Sequence, residues 1–232
     1  MDLNVVQVIA IYAIPVILAI TLHEAAHGYV AMRFGDMTAY AAGRVSLNPI
    51  RHIDPVGTVV FPLALLAIAK LVGGGGILFG WAKPVPVNFA NLRHPKRDML
   101  WVAAAGPLSN LAMALMWALA LKAGLSSHAG DFGLPLALMG AAGIFINVIF
   151  MVLNLLPLPP LDGGRMLVSL LPHRLARGVS RVEPYGFVIL IVLLVTGVLS
   201  FVLWPFIIFT MSLIADGLGM PVSHLLRLAQ LL

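Results

Sequence analysis

The chain has 232 residues, of which 61% are hydrophobic and 10% are charged, whereas a soluble domain is about half apolar and a quarter charged. This composition leaves too little polar surface to cover a globule in water and so excludes an ordinary soluble domain. The net charge of +5 does not indicate nucleic-acid binding, because the basic residues lie in loops between apolar segments and form no aromatic–basic patch.

Apolar runs of about 20 residues predict an all-α polytopic membrane protein with five to six apolar segments. The first four segments cover residues 5–30, 56–72, 99–123 and 134–156. The last stretch, 185–215, contains Gly197 and Pro205, and is either one long kinked helix or two shorter helices. Between segments 1 and 3, a run of four glycines and a proline-containing stretch predict a small membrane-associated β or re-entrant element.

We expect one membrane-embedded domain over residues 1–232. Its core covers about 5–172, and one or two C-terminal helices lie within 185–232.

The distribution of basic residues predicts the orientation of the chain. Loops 32–55, 73–98 and 163–183 carry three, four and four lysines or arginines, whereas the loop after the third segment carries only Lys122. The positive-inside rule places those three loops in the cytoplasm and the N-terminus outside. Both flanks of segment 2 then face one compartment, which favours a re-entrant excursion over a simple span. With no targeting segment visible, we expect a multi-pass protein of a prokaryotic plasma membrane, with its active site near the cytoplasmic side.

Residues 23–27 have the sequence H-E-A-A-H, which matches the zinc-binding pattern H-E-x-x-H. On a helix, His23 and His27 share one face and can bind the same ion. Glu24 lies beside them, where it can take a proton from water on the metal. Ionisable groups inside an apolar segment are costly and usually functional. The alternative is a pair of helix-packing histidines with a snorkelling glutamate.

A catalytic zinc site needs a third protein ligand and leaves one position open. With no cysteine in the chain, that ligand has to be a histidine or a carboxylate. Asp162 ends an apolar segment and precedes Gly163 and Gly164, which let the backbone approach closely. The other carboxylates, Asp36 among them, lie in or near loops or segment ends without a motif. Because segments 1 and 4 run parallel in this topology, we predict one Zn²⁺ ion per chain, bound by His23, His27 and Asp162.

Three motifs carry a family resemblance. Residues 154–163, N-L-L-P-L-P-P-L-D-G, resemble the N-x-x-P-x-P-x-x-D-G motif of the site-2 protease family of intramembrane metalloproteases. Residues 23–27 match that family's H-E-x-x-H, and residues 106–110, G-P-L-S-N, resemble its G-P-x-x-N element. The resemblance, to a short form without a PDZ or CBS domain, implies a zinc metalloendopeptidase with a core of three helices. The implied reaction is hydrolysis of a peptide bond within or near a transmembrane segment of a membrane-protein substrate, as in regulated intramembrane proteolysis.

Several polar residues are candidates for supporting roles. Asn154 is either a hydrogen-bond donor to the oxyanion, the role the resemblance implies, or a helix-packing residue. Asn110 could likewise donate to the oxyanion or pack against a helix. For this residue, support of a metal ligand or helix packing is favoured. His52 and Asp54 either line the substrate path or support the metal ligands, or belong to a proline-held turn. The stretch 79–88 resembles the family's membrane-associated β segment, whose edge could receive an unwound substrate.

Two other functions are compatible with these motifs. The first is a non-hydrolytic metal transporter or scaffold, against which the presence of Glu24 argues, because binding alone needs no base. The second is a zinc hydrolase acting on a lipid or a small amide. The expected partners are a membrane-protein substrate and the lipid bilayer, with no nucleic acid, and the sequence does not specify an oligomeric state.

Overall fold

A computed structural model describes residues 5–60, 83–126 and 130–230. The helices in this part of the chain are α1 Val5–Arg33, α2 Thr38–Ala41, α3 Pro95–Gly124, α4 Gly133–Asn154, α5 Asp162–Leu170, α6 His173–Ser180, α7 Glu183–Val195, α8 Val198–Leu218 and α9 Val222–Gln230. Among them, α1, α3, α4 and α8 are long and apolar enough to cross a membrane, and α6 with α7 forms a further candidate span bent by 59°. The predicted all-α, multi-pass membrane architecture is confirmed.

The predicted element between segments 1 and 3 falls largely on residues 61–82, outside the described part of the chain. On its near side, Pro55–Val60 forms a short π-helical turn. On its far side, residues 83–88 form neither helix nor strand. Within the described ranges the predicted β structure is therefore not confirmed, and the re-entrant alternative stays a prediction.

The stretch 185–215 forms two helices rather than one. Gly197 has a φ of +76°, a left-handed conformation that glycine adopts without the steric cost of a Cβ atom. This residue separates α7 from α8, whereas Pro205 lies inside α8.

Helices α3 and α4 form a closely packed antiparallel hairpin. A Cβ atom on Gly124 would lie 2.5 Å from the backbone nitrogen of Ala137, and one on Gly140 would lie 2.6 Å from that of Leu121. The glycines therefore bring the two backbones together, as small residues do at helix contacts in membranes.

Helix α1 runs parallel to α4 and antiparallel to α3. Near its start, Ile11 packs with Leu138 and Ala142 of α4. Further along, the Asn110 side chain of α3 donates to the carbonyl of Ala19, at 3.4 Å. The late part of α1, the early part of α3 and the late part of α4 thus meet at one end of a three-helix core.

Asp36, just after α1, holds residues 88–91 against the end of that helix. Its carboxylate is fully buried and accepts hydrogen bonds from the backbone and hydroxyl of Thr38, at 3.0 and 2.5 Å. It also accepts from the backbone of Asn88, at 2.7 Å, and from the side chain of Asn91, at 3.2 Å. Burial alone would raise the pKa of Asp36, but these hydrogen bonds outweigh burial and lower it.

Candidate metal centre

The structure brings His23, His27 and Asp162 together at that end of the core. All three are buried. The two histidines lie one turn apart on α1, and their Nε2 atoms are 3.1 Å from each other. Asp162 is the first residue of α5, and its Oδ2 atom lies 3.2 Å from His23 Nε2 and 3.3 Å from His27 Nε2. Among the described residues, these form the one such group of three that could hold a metal ion.

Hydrogen bonds behind the rings determine which nitrogen of each imidazole carries the proton. The Nδ1 atom of His27 lies 2.7 Å from the carbonyl oxygen of Val102, and that of His23 lies 2.6 Å from Oδ1 of Asn110. Because these oxygens only accept, both Nδ1 atoms are donors. In the neutral form of each ring, the Nε2 atom then presents a lone pair to the other ring and to Asp162.

This arrangement fits a zinc ion. Asp162 Oδ2 is buried without a hydrogen-bond partner, and two lone pairs and a carboxylate oxygen at 3.1–3.3 Å repel one another unless a metal cation or a proton lies between them. Donors at about 2.0–2.1 Å from a tetrahedral zinc ion lie about 3.3–3.4 Å apart, close to the observed separations. Two imidazoles and one carboxylate leave the fourth zinc position open, as in catalytic sites.

Gly106 of α3 leaves the space that the imidazoles occupy. A Cβ atom at this position would lie 2.5 Å from His23 Cε1, 2.5 Å from His27 Nε2 and 2.6 Å from His23 Nε2. The glycine of G-P-L-S-N thus admits the histidine pair, and the asparagine of the same element, Asn110, bonds to His23 one helical turn later.

Two glycines position Asp162. A Cβ atom on Gly163 would overlap the carbonyl oxygens of Leu155 and Leu156, and one on Gly164 would overlap the backbone of Pro159. The close approach brings the start of α5 against the chain that leaves α4. A carboxylate in the first turn of a helix is also favourably placed in the field of the helix.

Glu24 is half-buried on α1. Its Oε2 atom accepts a hydrogen bond of 2.8 Å from the backbone N–H of Val85. Residues 83–88 therefore pass beside the glutamate, a contact between distant parts of the chain that the sequence did not indicate.

The remaining predicted residues make other contacts. Asn154, the last residue of α4, donates to the carbonyl of Phe150 at 3.0 Å. His52 is buried, and its Nε2 atom lies 2.8 Å from the carbonyl oxygen of Ser46. Asp54 accepts hydrogen bonds from the backbone two and three residues further on. These contacts are those of a helix end and a turn, and the group of possible metal ligands includes none of the three residues.

Sequence reasoning overlooked Asn147 of α4. It is fully buried, and its Oδ1 atom accepts a hydrogen bond of 2.9 Å from the Asn110 side chain. A side-chain amide within an apolar segment was the available signal.

An apolar groove of about 400 Å³ lies between α1 and α3, and its lining includes none of His23, Glu24, His27 and Asp162. Its lining includes Leu22, Ala25 and Ala26 of α1, Leu47 of the following loop, and Ser109, Met113 and Met116 of α3.

These features define a class: a multi-pass membrane metalloprotein whose three donors leave a coordination position open, the arrangement of catalytic zinc. The model of peptidase family M50 matches residues 126–197. The chain is 40% identical over 200 residues to "Putative zinc metalloprotease YwhC" of Bacillus subtilis, with 83% of each chain covered. It is 30% identical over 184 residues to "Putative zinc metalloprotease Rip2" of Mycolicibacterium smegmatis, with 79% of this chain and 66% of the relative covered.

No solved structure gives a significant match to this chain. The chain belongs to peptidase family M50 and is a membrane-embedded zinc metalloprotease of the site-2 type.

Proposed function

We propose that this protein is an intramembrane protease that hydrolyses a peptide bond within or near a transmembrane segment of a membrane-protein substrate, in regulated intramembrane proteolysis. The observation that carries the proposal is the position of the three candidate metal ligands, His23, His27 and Asp162. Two lie inside a membrane-length helix, α1, and the third is buried against them. A metal centre so placed lies within a membrane-length helix, so its substrate would enter from the bilayer.

In this proposal His23, His27 and Asp162 hold the zinc ion, which polarises the scissile carbonyl and acidifies water when bound. Glu24 takes a proton from the attacking water and delivers it to the leaving amine. Its hydrogen bond from Val85 orients the carboxylate. Asn154 donates to the developing oxyanion, which requires its amide to leave the carbonyl of Phe150 and is worth roughly 3–4 kcal/mol in the transition state.

The groove between α1 and α3 suits the substrate. Its lining is almost entirely apolar and includes Ala25 and Ala26, which lie between the two histidines in the sequence of α1. A peptide bond inside an intact helix is shielded by its own hydrogen bonds, so the substrate has to unwind locally before attack. The backbone of residues 83–88, beside Glu24, is the place where an extended substrate would pair. Photo-crosslinkers at positions 84–88 that never capture a substrate would argue against that pairing.

The end of the bundle that contains His23, His27 and Asp162 is proposed to face the cytoplasm of a prokaryotic cell. Basic residues flank this end in three places: Arg33 ends α1, Lys96 and Arg97 begin α3, and Arg165 lies in α5. This enrichment supports the orientation by the positive-inside rule.

The test uses the full chain in detergent or liposomes with labelled transmembrane peptides, with and without chelator. Glu24→Gln is expected to retain stoichiometric zinc and to lose cleavage. The matched control is Glu183→Gln, the same substitution at an exposed glutamate on α7, which should cleave normally. Wild-type cleavage by Glu24→Gln would refute the assignment of the base. Turnover of lipid or small-amide substrates, without cleavage of any transmembrane peptide, would indicate the alternative hydrolase.

A further inference from the structure

Helix α4 supplies no metal ligand, yet it carries a buried amide close behind the site. Asn147 and Asn110 are both fully buried in the apolar three-helix core. An amide in such surroundings is costly unless its donors and acceptors are paired. Their pairing here forms a continuous chain of hydrogen bonds from α4 to a metal histidine.

Each amide in this chain has one orientation that satisfies its neighbours. The carbonyl of Gly143 only accepts, so the Nδ2 atom of Asn147 faces it, at 2.8 Å. The Oδ1 atom of Asn147 then faces Asn110, whose Nδ2 atom donates to it at 2.9 Å. That Nδ2 atom also donates to the carbonyl of Ala19, at 3.4 Å. Asn110 Oδ1 is left facing His23 Nδ1, at 2.6 Å, so Nδ1 carries a proton and, in the neutral ring, Nε2 keeps its lone pair.

His23 and His27 differ in the group that holds the proton on Nδ1. His27 is held by the carbonyl of Val102, a backbone group that cannot exchange its oxygen for a donor. His23 is held by a side-chain amide, and a rotation of Asn110 by about 180° would present an NH₂ group instead. The ring would then favour a lone pair on Nδ1 and a proton on Nε2, the atom that has to bind zinc.

We propose that Asn147 is a positioning residue for the metal centre: acting through Asn110, it holds His23 in the tautomer that binds zinc. The inference deepens the proposed function, since it takes His23 as a zinc ligand. Outer hydrogen-bond partners of metal ligands typically change metal affinity by about 10–100-fold when removed.

The primary variant is Asn147→Leu, which keeps the approximate size of the side chain and removes both hydrogen bonds. In the intact 232-residue chain in detergent, competition with a chromogenic chelator should show zinc affinity reduced by about 10-fold, the lower end of the range for a direct partner of a metal ligand, because Asn147 acts through Asn110. The absorption bands of bound Co²⁺ should shift, because the geometry of its ligands changes. Asn147→Asp keeps an oxygen facing Asn110 and should retain more affinity than the leucine variant. Val148→Ala, at the next, equally buried position of α4, should lower the melting temperature but leave zinc affinity unchanged.

A double-mutant cycle separates action through Asn110 from general destabilisation. If Asn147 acts through Asn110, then Asn147→Leu should weaken zinc binding no further once Asn110→Ala is present. Additive losses, or wild-type zinc affinity in Asn147→Leu, would overturn the proposal. If the leucine variant is not recovered folded, Asn147→Ala replaces it in every measurement. Because zinc binding is measured without any peptide, failure of the protease assay would leave this result unaffected.

Discussion

Gly106 lies against the rings of both histidines, so Gly106→Ala is a direct test of the metal centre. The new methyl carbon would lie 2.5 Å from His23 Cε1 and from His27 Nε2. Non-bonded heavy atoms prefer separations of about 3.5–4.0 Å, so the methyl group is about 1 Å too close to both rings. Rotation of a single side chain does not relieve this overlap, because each ring is also held from behind by its Nδ1 hydrogen bond.

The overlap should act on metal binding more strongly than on folding. Overpacking a core position costs about 1–3 kcal/mol, which a bundle of this size can tolerate. Movement of both Nε2 atoms, however, disrupts the spacing that matches a zinc ion. We expect Gly106→Ala to bind zinc at least about 100-fold more weakly than wild type, since a shift of both ligands exceeds the effect of losing one outer partner, and peptide cleavage should fall with zinc content.

The assay measures zinc per protein after dialysis against graded chelator, together with thermal unfolding with and without added zinc. Zinc should raise the melting temperature of the wild type, because it binds the folded state, and should barely raise that of Gly106→Ala. The control is Gly217→Ala in α8, where a Cβ atom would meet nothing within 4 Å; it should behave as wild type. Wild-type resistance to chelator in Gly106→Ala would refute the placement of the ion beside this glycine.

Three further predictions follow from other positions. Asp162→Asn keeps the side-chain size but loses the charge, so metal analysis should find the purified variant without zinc at chelator concentrations the wild type withstands. The lowered pKa of Asp36 means that its carboxylate adds stability above its unfolded pKa of about 3.9, and that this stability disappears as pH falls through the folded pKa. Asp36→Asn should therefore melt lower than wild type at pH 7, by a margin that narrows below about pH 4; a margin independent of pH would contradict this. Gly197→Ala places a Cβ atom at a φ of +76° and should cost about 1–2 kcal/mol in thermal unfolding, whereas Gly178→Ala, with open space around it, should cost nothing.

The membrane helices were predictable because their signal is local. The apolar run 134–156 corresponds to Gly133–Asn154, and 99–123 lies within Pro95–Gly124. Length and hydropathy alone determine such elements, since every backbone group in lipid has to be paired within its own helix. The break at Gly197 left two alternatives, because a single glycine in an apolar run is compatible with both a kink and a helix end.

The grouping of His23, His27 and Asp162 was predictable for a similar reason. The spacing of His23 and His27 determines that they share a helix face, and the glycines after Asp162 indicate a close backbone approach. By contrast, the hydrogen bond from Val85 to Glu24 joins residues 61 positions apart. The buried carboxylate of Asp36 likewise accepts hydrogen bonds from Asn88 and Asn91, in a distant loop. Pairings between loop backbone and side chains have no periodicity, so a single sequence carries no signal for them.

The packing of α3 on α4 determines more than the shape of the bundle. A Cβ atom on Gly143 would overlap the indole of Trp117, so this glycine sets how closely the two helices approach. The same residue supplies the carbonyl that orients Asn147, and the close approach places that amide 2.9 Å from Asn110. A larger residue here would push the helices apart and lengthen the hydrogen bond between Asn110 and Asn147. Helix spacing and the proposed orientation of His23 therefore depend on one position, so the proposal predicts that a change at Gly143 would affect zinc binding in the same direction as a change at Asn147.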